Sequence, residues 1–312
     1  MRLDEFEVTE PIPELHDTIA ISMLRPWIDV GRVGTLVLTR LERHMKAKEL
    51  GRIAKPGTYF DFTRYRPRTR IIDGKRTLTL PNTIVHYAHD EDTDRDYMFL
   101  HVREPHANGE DYTDAIAALL KHFNVAEHCR IGGMYDSVPH TRPLLVTGSL
   151  NDDYAQRAEG LVSPRRSTYQ GPTSIVNLVS ESLDEAEVES SSLMAHLPQY
   201  IQLDEDHMGA FRLMEVLCAM YGFPRSLANP DRGVKQYQDI STAVRQNTEV
   251  SNLVQQLETS YDQDLSSSSQ TEEEEDDKDI SLAPNVESFL EEVGQRLADE
   301  DEQEEDDDDG GE

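Results

Sequence analysis

The stretch that most limits what this chain can become runs through its first fifty residues. Residues 18–24 (TIAISML) form an apolar β-type run, and Pro26 ends it. Beyond Gly31 and Gly34, Val33, Leu36, Val37, Leu41 and Met45 recur at helical spacing, with Arg40, Arg43 and Lys46 on the other side. Gly51 is expected to close that helix, because glycine accepts positive φ without steric cost. A strand, a glycine turn and an amphipathic helix make the opening unit of an α/β sandwich.

The rest of the first 262 residues continues the pattern. Residues 68–80 alternate around Asp73-Gly74, which predicts a β-hairpin. Strands are expected over 83–88, 97–102, 127–132, 144–147 and 191–197, and helices over 111–123 and 208–221, the latter stopped by Gly222. Another helix opens after Pro172, capped by Thr173 or Ser174, with Ile175, Leu178, Val179 and Leu183 on one face. Residues 234–257 read as one long helix with Ile240, Val244, Leu253 and Leu257 as its apolar points, and 151–171 as a polar, lid-like loop.

Charge divides the chain sharply. The whole carries −31, yet residues 262–312 hold 23 acidic and 2 basic residues, so the first 261 carry only −10. The expected organisation is a folded domain over 1–228, a helical extension over 229–262 and an acidic low-complexity tail over 263–312. Runs such as EEEEDD repel one another and bury too little apolar surface to offset their ordering entropy. Within the tail, Val286, Phe289, Leu290, Val293 and Leu297 make an apolar stripe at helical spacing near residues 285–298, a docking stripe for a partner or for the chain's own domain.

An acidic protein of this kind repels phosphate backbones and anionic lipid, so neither nucleic acid nor a membrane is an expected partner. The short basic run RYRPRTR at 64–70 reads as a solvated loop. No apolar window approaches a membrane span, and the first fifteen residues lack a signal-peptide core, which points to the cytoplasm. Cys129 and Cys218 read as buried, reduced thiols. Cofactor and metal motifs are missing: the glycine pattern at Gly31 and Gly34 is neither GxGxxG nor a phosphate loop, and HExxH does not occur. Gly31 and Gly34 stand as a weak helix-N-terminal anion candidate, with close backbone packing as the plainer reading. His86 and His89 should face opposite sides of a strand, and no metal site is expected.

One polar knot asks for an explanation. His140-Thr141-Arg142 lies between Pro139 and Pro143 at the mouth of an apolar strand. Arg142 suits bidentate contact with an anion or partner group at a strand end, where open α/β sheets bind ligands. Equally, both prolines favour extended neighbours, and the three polar side chains can pair internally to make a structural corner.

The order VPHTRPLLVTGS, then PTSIVNLVSESLDEAEVESSSLMAHLPQYI, then GAFRLMEVLCAMYGF resembles the proteasome assembly chaperone 2 family. The matching residues are Pro139 to Pro143, Pro172-Thr173, Ser192-Leu193, Ala195-His196, Pro198 and Tyr200. LVQQLETSYD, at 253–262, is similar to the bacterial branch, while His207-Met208 stand where the family usually carries an aromatic-proline pair. The resemblance implies a three-layer α/β/α sandwich, nucleoside-phosphorylase-like, with a helical extension. It further implies a homo-oligomer such as a trimer, and partners that are protein subunits, proteasome-related ones among them. It implies no cofactor and no settled chemistry. With no complete catalytic motif, a protein-interaction or assembly factor is the expected function. The alternative is an enzyme on a phosphorylase-like scaffold: a nucleoside phosphorylase or hydrolase, or an ATP-dependent carboxylate-amine ligase. Gly310-Gly311-Glu312 also matches the end of the prokaryotic ubiquitin-like modifier, over three residues only.

Overall fold

The computed structural model describes residues 1–72, 74–163, 173–184 and 186–267, with side chains described to residue 263 except that of Ile72. In chain order the elements are β1 (Arg2–Leu3), β2 (Phe6–Val8), β3 (Thr18–Arg25), α1 (Val33–His44), β4 (Lys48–Ile53), β5 (Arg68–Ile72), β6 (Lys75–Thr79), β7 (Ile84–Asp90), β8 (Arg95–Arg103), α2 (Gly109–His122), β9 (Val125–Asp136), β10 (Val146–Ser149), α3 (Asp152–Arg157), α4 (Ile175–Asp184), β11 (Glu189–Pro198), α5 (His207–Tyr221), α6 (Asp231–Val244) and α7 (Thr248–Ser267). Nine strands are hydrogen-bonded in the order β1-β2-β4-β7-β8-β3-β9-β11-β10, and β5-β6 form a separate hairpin. β3 runs parallel to β8 and β9, whereas β7 and β8, β4 and β7, and β2 and β4 pair antiparallel.

Two compact units divide the chain. The first comprises Met1–Asp29, Leu38–Ile131 and Gly171–Ser192. Its centre is β3, whose first seven residues are all buried. Such a strand has no polar face to offer water, so both faces must be covered. Residue parity shows how. Met98, Leu100 and Val102 of β8, with Ala20 and Leu24 of β3, share one core with Tyr112, Ala115, Ile116 and Leu119 of α2 and Ile175, Val179 and Leu183 of α4. On the opposite parity, His101 of β8 meets Glu42 of α1. Helices therefore lie on both sides of the sheet, an α/β/α arrangement. Each fully buried aliphatic or aromatic side chain in these layers contributes roughly 1.5–3 kcal/mol.

The second unit comprises Val30–Val37, Gly132–Gln170 and Leu193–Glu312. Here α5 packs on α6, and α7 buries Val250, Val254, Leu257 and Tyr261 along one stripe. The extension is two helices rather than the one expected over 234–257. Asn247 separates them: its Oδ1 accepts from the backbone N–H groups of Glu249 and Val250 at 3.0 and 3.3 Å, an N-cap that starts a new helix.

Three further expectations are corrected. Gly51 does not stop α1; Lys46 does, at φ +53, with Ala47 N–H reaching back to Glu42 O. Gly51 sits inside β4, where a Cβ would meet the backbone oxygen of Glu7 at 2.6 Å. In α4, Val176 takes the buried place expected of Leu178, which is 42 % exposed. The lid-like stretch contains α3, capped by Asn151 Oδ1 on Tyr154 N–H at 2.8 Å. The hairpin expected over 68–80 forms, β5 pairing antiparallel with β6 and Ile72 facing Lys75. Both cysteines are free and buried. Residues 263–267, expected in the acidic tail, belong to α7, whereas Pro172, the tail beyond Ser267, its stripe from Val286 to Leu297 and its last three residues lie outside the described residues.

Because backbone, not a mobile side chain, fills the space at Gly51, Gly51→Ala must displace β2 from β4. Urea unfolding should show a loss of about 1–3 kcal/mol. A variant as stable as the parent would show that this edge is not tightly packed.

Candidate functional site

The segment joining β9 to β10 carries His140, Thr141 and Arg142, and all three turn toward the C-terminal helices of the second unit. His140 is buried. Its backbone N–H donates to the Tyr200 hydroxyl at 2.8 Å, which leaves that hydroxyl's own proton for His140 Nδ1, 2.5 Å away. Nδ1 then accepts, so Nε2 carries the hydrogen and donates to Ser241 Oγ at 3.1 Å. Ser241 in turn donates to the Tyr237 carbonyl of α6 at 2.9 Å. Every donor in this chain has an acceptor. Burial drives the His140 pKa down to about 4, with the Glu258 charge opposing, so the ring is neutral at neutral pH. Burial likewise pushes the Tyr200 hydroxyl up, so it stays protonated.

Thr141 and Arg142 grip α7. Arg142 Nε and Nη2 reach Asp262 Oδ1 and Oδ2 at 2.9 and 2.8 Å, a two-pronged contact, and Nη1 reaches Glu258 Oε1 at 3.2 Å. Thr141 Oγ1 donates to the same Glu258 oxygen at 2.5 Å, and Tyr261 OH donates to Pro143 O at 2.6 Å. Residues 258, 261 and 262 are one helical turn apart, so a single face of α7 takes all four contacts. The hydrogen bond to Asp262 raises the Arg142 pKa further and lowers that of Asp262.

Beside this corner lies a groove of about 620 Å³, lined by His140, Arg142, Leu144, Phe211, Arg212 and Tyr237 among others. Arg212 is turned to the protein as well, donating to the carbonyls of Leu144 at 3.1 Å and Leu161 at 3.2 Å and pairing with Glu215. At Gly31 the structure places protein where an anion was considered. Gly31 is at φ +56, and a Cβ there would lie 2.7 Å from Asp206 Cβ. Gly34 is buried in α1, and Arg32 pairs with Glu205. Asp206 caps α5 through Gly209 N–H at 2.7 Å and accepts from Tyr237 OH at 2.9 Å. Burial outweighs those hydrogen bonds and lifts its pKa to about 6.

Two groupings escaped the sequence reading, because their members are far apart along the chain. His196 Nδ1 lies 2.7 Å from Asp136 Oδ2, and His196 Nε2 lies 2.8 Å from Thr147 Oγ1. This is the hydroxyl–imidazole–carboxylate order of a nucleophile with its base and orienting acid. The groove lining includes none of the three. In the first unit, Glu42, His86 and His101 bring metal-ligating atoms within 4.8 Å of one another, where the sequence suggested no metal site. His86 and His89 do face opposite ways, as expected, but the partners of His86 come from α1 and β8. No helix among the described residues is long and apolar enough to cross a membrane.

A family model described as the PAC2 family matches residues 23–229. The chain belongs to the PAC2 family. Solved structures similar to this PAC2 chain include a PAC2 family protein from Streptomyces avermitilis, 23 % identical with a TM-score of 0.67, covering 76 % of this chain and 100 % of that one. A proteasome-assembly chaperone homologue of Mycobacterium tuberculosis is 22 % identical, with a TM-score of 0.65, covering 76 % and 99 %. An archaeal proteasome activator from Pyrococcus furiosus is 17 % identical, with a TM-score of 0.58, covering 77 % and 99 %. At these identities the likeness is one of fold. A comparison with curated proteins gave no match.

The two buried groups of this PAC2 protein titrate with opposite signs. His140, depressed to about 4 from 6.5, contributes stability that is full above 6.5 and is lost as pH falls toward 4. Asp206, raised to about 6 from 3.8, contributes stability that is full below 3.8 and is lost as pH rises through 6. Each amounts to roughly 3 kcal/mol, so in the parent protein they largely cancel over that range. In Asp206→Asn the His140 loss stands uncovered: urea unfolding should show stability falling more steeply between pH 6.5 and pH 4 than in the parent. Parallel pH profiles would contradict the assignment.

Proposed function

We propose that this PAC2 chain is a non-enzymatic assembly factor of the proteasome-assembly-chaperone type. In this reading it works as a homo-oligomer, such as a trimer, in the cytoplasm, and its clients are proteasome-related protein subunits. Family membership and chaperone-named neighbours of the same fold support the class of protein. The observation that carries the non-enzymatic part is the commitment of the proline-bracketed knot to its own chain. His140 is neutral and fully bonded, and Arg142 is held by two carboxylates, so neither is left to bind a phosphoryl or carboxyl group. On this reading His140, Thr141 and Arg142 act by positioning α6 and α7. The tail stripe of Val286, Phe289, Leu290, Val293 and Leu297 docks on the client, flanked by acidic runs that keep it solvated.

The test is co-purification of the full chain with proteasome ring subunits, with light scattering on the same samples. A complex retained by the full chain, and weakened at least ~10-fold when residues 283–312 are deleted, is the expected result. Saturable stabilisation by phosphate, nucleoside or ATP–magnesium that disappears in Arg142→Ala, with no protein complex formed, would overturn it.

One observation favours a second, enzymatic reading: the Thr147–His196–Asp136 relay. A fluorophosphonate probe should leave the chain unlabelled, because the groove beside His140 is not lined by Thr147. Labelling that is lost in Thr147→Ala would favour the enzyme.

A further inference from the structure

The grouping of Glu42, His86 and His101 lies wholly within the first unit, and three different elements build it. β7 and β8 are antiparallel with Ile84 opposite His101 and His86 opposite Phe99, so His86 and His101 are diagonal neighbours on one sheet face. α1 crosses that face and lowers Glu42 between them. Glu42 Oε1 is 2.7 Å from His101 Nε2 and 3.0 Å from His86 Nδ1. The first contact is a hydrogen bond. The second is not: His86 Nδ1 is shielded from solvent and has no partner in hydrogen-bonding geometry among the described residues.

That orphaned nitrogen is the informative atom. A buried imidazole nitrogen without a partner is costly whether or not it carries a proton. If the proton sits on Nε2, a lone pair points into a cluster that already holds a carboxylate and a second imidazole. Two imidazoles and a carboxylate are a ligand set for a borderline divalent ion, and zinc uses three protein ligands with a fourth position for water in its reactive sites. Around such an ion the ligand atoms would stand about 3.3 Å apart, so the present 2.7 and 3.0 Å contacts need to open by about 0.6 and 0.3 Å, while the two imidazole nitrogens already lie within 4.8 Å of each other. Side-chain exposures of 25 % for His86, 16 % for His101 and 15 % for Glu42 place the cluster close to the surface.

The surroundings suit a cation. Glu49, facing His86 across the β4–β7 pairing, adds a second negative group and is itself held by Arg52. We propose that His86 Nδ1, His101 Nε2 and the Glu42 carboxylate form a binding site for one divalent transition-metal ion of the zinc class, with a fourth coordination position open to water or an exogenous ligand. The site is independent of the knot at His140 and of any client.

Cobalt(II) is the probe, because tetrahedral nitrogen–oxygen coordination gives it intense visible bands that scattered carboxylate binding does not. Titrating tag-free, chelator-treated full-length protein should yield one strongly absorbing Co(II) per chain, displaced by one equivalent of Zn(II). His86→Ala, His101→Ala and the near-isosteric Glu42→Gln should each weaken binding at least ~10-fold. Circular dichroism and unfolding midpoints of the metal-free variants identify any that fail to fold, and the folded ones decide. Only pale, octahedral-type spectra, equal in parent and folded variants, would mean adventitious binding to the acidic residues and would overturn the proposal. So would stoichiometric binding that all three substitutions leave intact.

Discussion

Burial of β3 on both faces is the constraint from which the rest follows. A strand whose seven leading residues are all buried has no solvent side, so one covering layer cannot satisfy it. Its two parallel neighbours, β8 and β9, cannot be reached by tight turns, because parallel pairing demands long crossovers. Those crossovers bring the helices, and the helices bring the layers. Even the Glu42–His101 contact follows from this geometry, since an alternating strand that sends Met98, Leu100 and Val102 to one layer must send Phe99 and His101 to the other.

Polar groups have to be placed under the same constraint. Around His140 in the second unit they are resolved pairwise: Tyr200 donates to His140, His140 to Ser241, Ser241 to the α6 backbone. Such a chain fixes tautomers as firmly as it fixes positions, and low dielectric strengthens each link. Arg142 solves a different problem. The carboxylates that receive it are on α7, a helix held by the buried stripe of Val250, Val254, Leu257 and Tyr261, and an exposed ion pair by itself holds little. A two-pronged guanidinium contact, a third contact to Glu258 and the Tyr261–Pro143 bond, all on one helical turn, make a clasp whose directionality matters more than its charge.

The extent to which this was legible in the sequence depends on the distance over which each signal acts. Local periodicity carried β3, α1, α2, α5 and the Asp73-Gly74 hairpin, because side-chain spacing within one element is written along the chain. Element ends were less legible where two stops competed. Gly51 had the better propensity, yet Lys46 took the left-handed position, since the chain needed to enter β4 by Lys48. Asn247 was passed over inside an apolar rhythm that ran on through it, although asparagine before Thr248-Glu249 is a cap signal. Leu178 and Val176 differ by two positions on a helix open to two neighbouring stripes, and only tertiary packing chooses between them. Side-chain groupings were the least legible. Asp136, Thr147 and His196 come from three strands, and Glu42, His86 and His101 from a helix and two strands, so nothing in local spacing could announce them.

The two groupings also differ in what they lack. The threonine–histidine–aspartate relay is internally complete: both ring nitrogens are bonded and the groove lies elsewhere, which is how a satisfied buried histidine looks when it serves packing. The glutamate–histidine–histidine cluster is incomplete at one atom, His86 Nδ1. Other buried polar atoms among the described residues also lack a hydrogen-bond partner, and what sets His86 Nδ1 apart is its place beside a second imidazole and a carboxylate, a set that a divalent cation would complete. A completed polar set argues for architecture, and a set short of one cation argues for a ligand. By that criterion the residues around His140 belong to the frame, and the residues around His86 belong to a site.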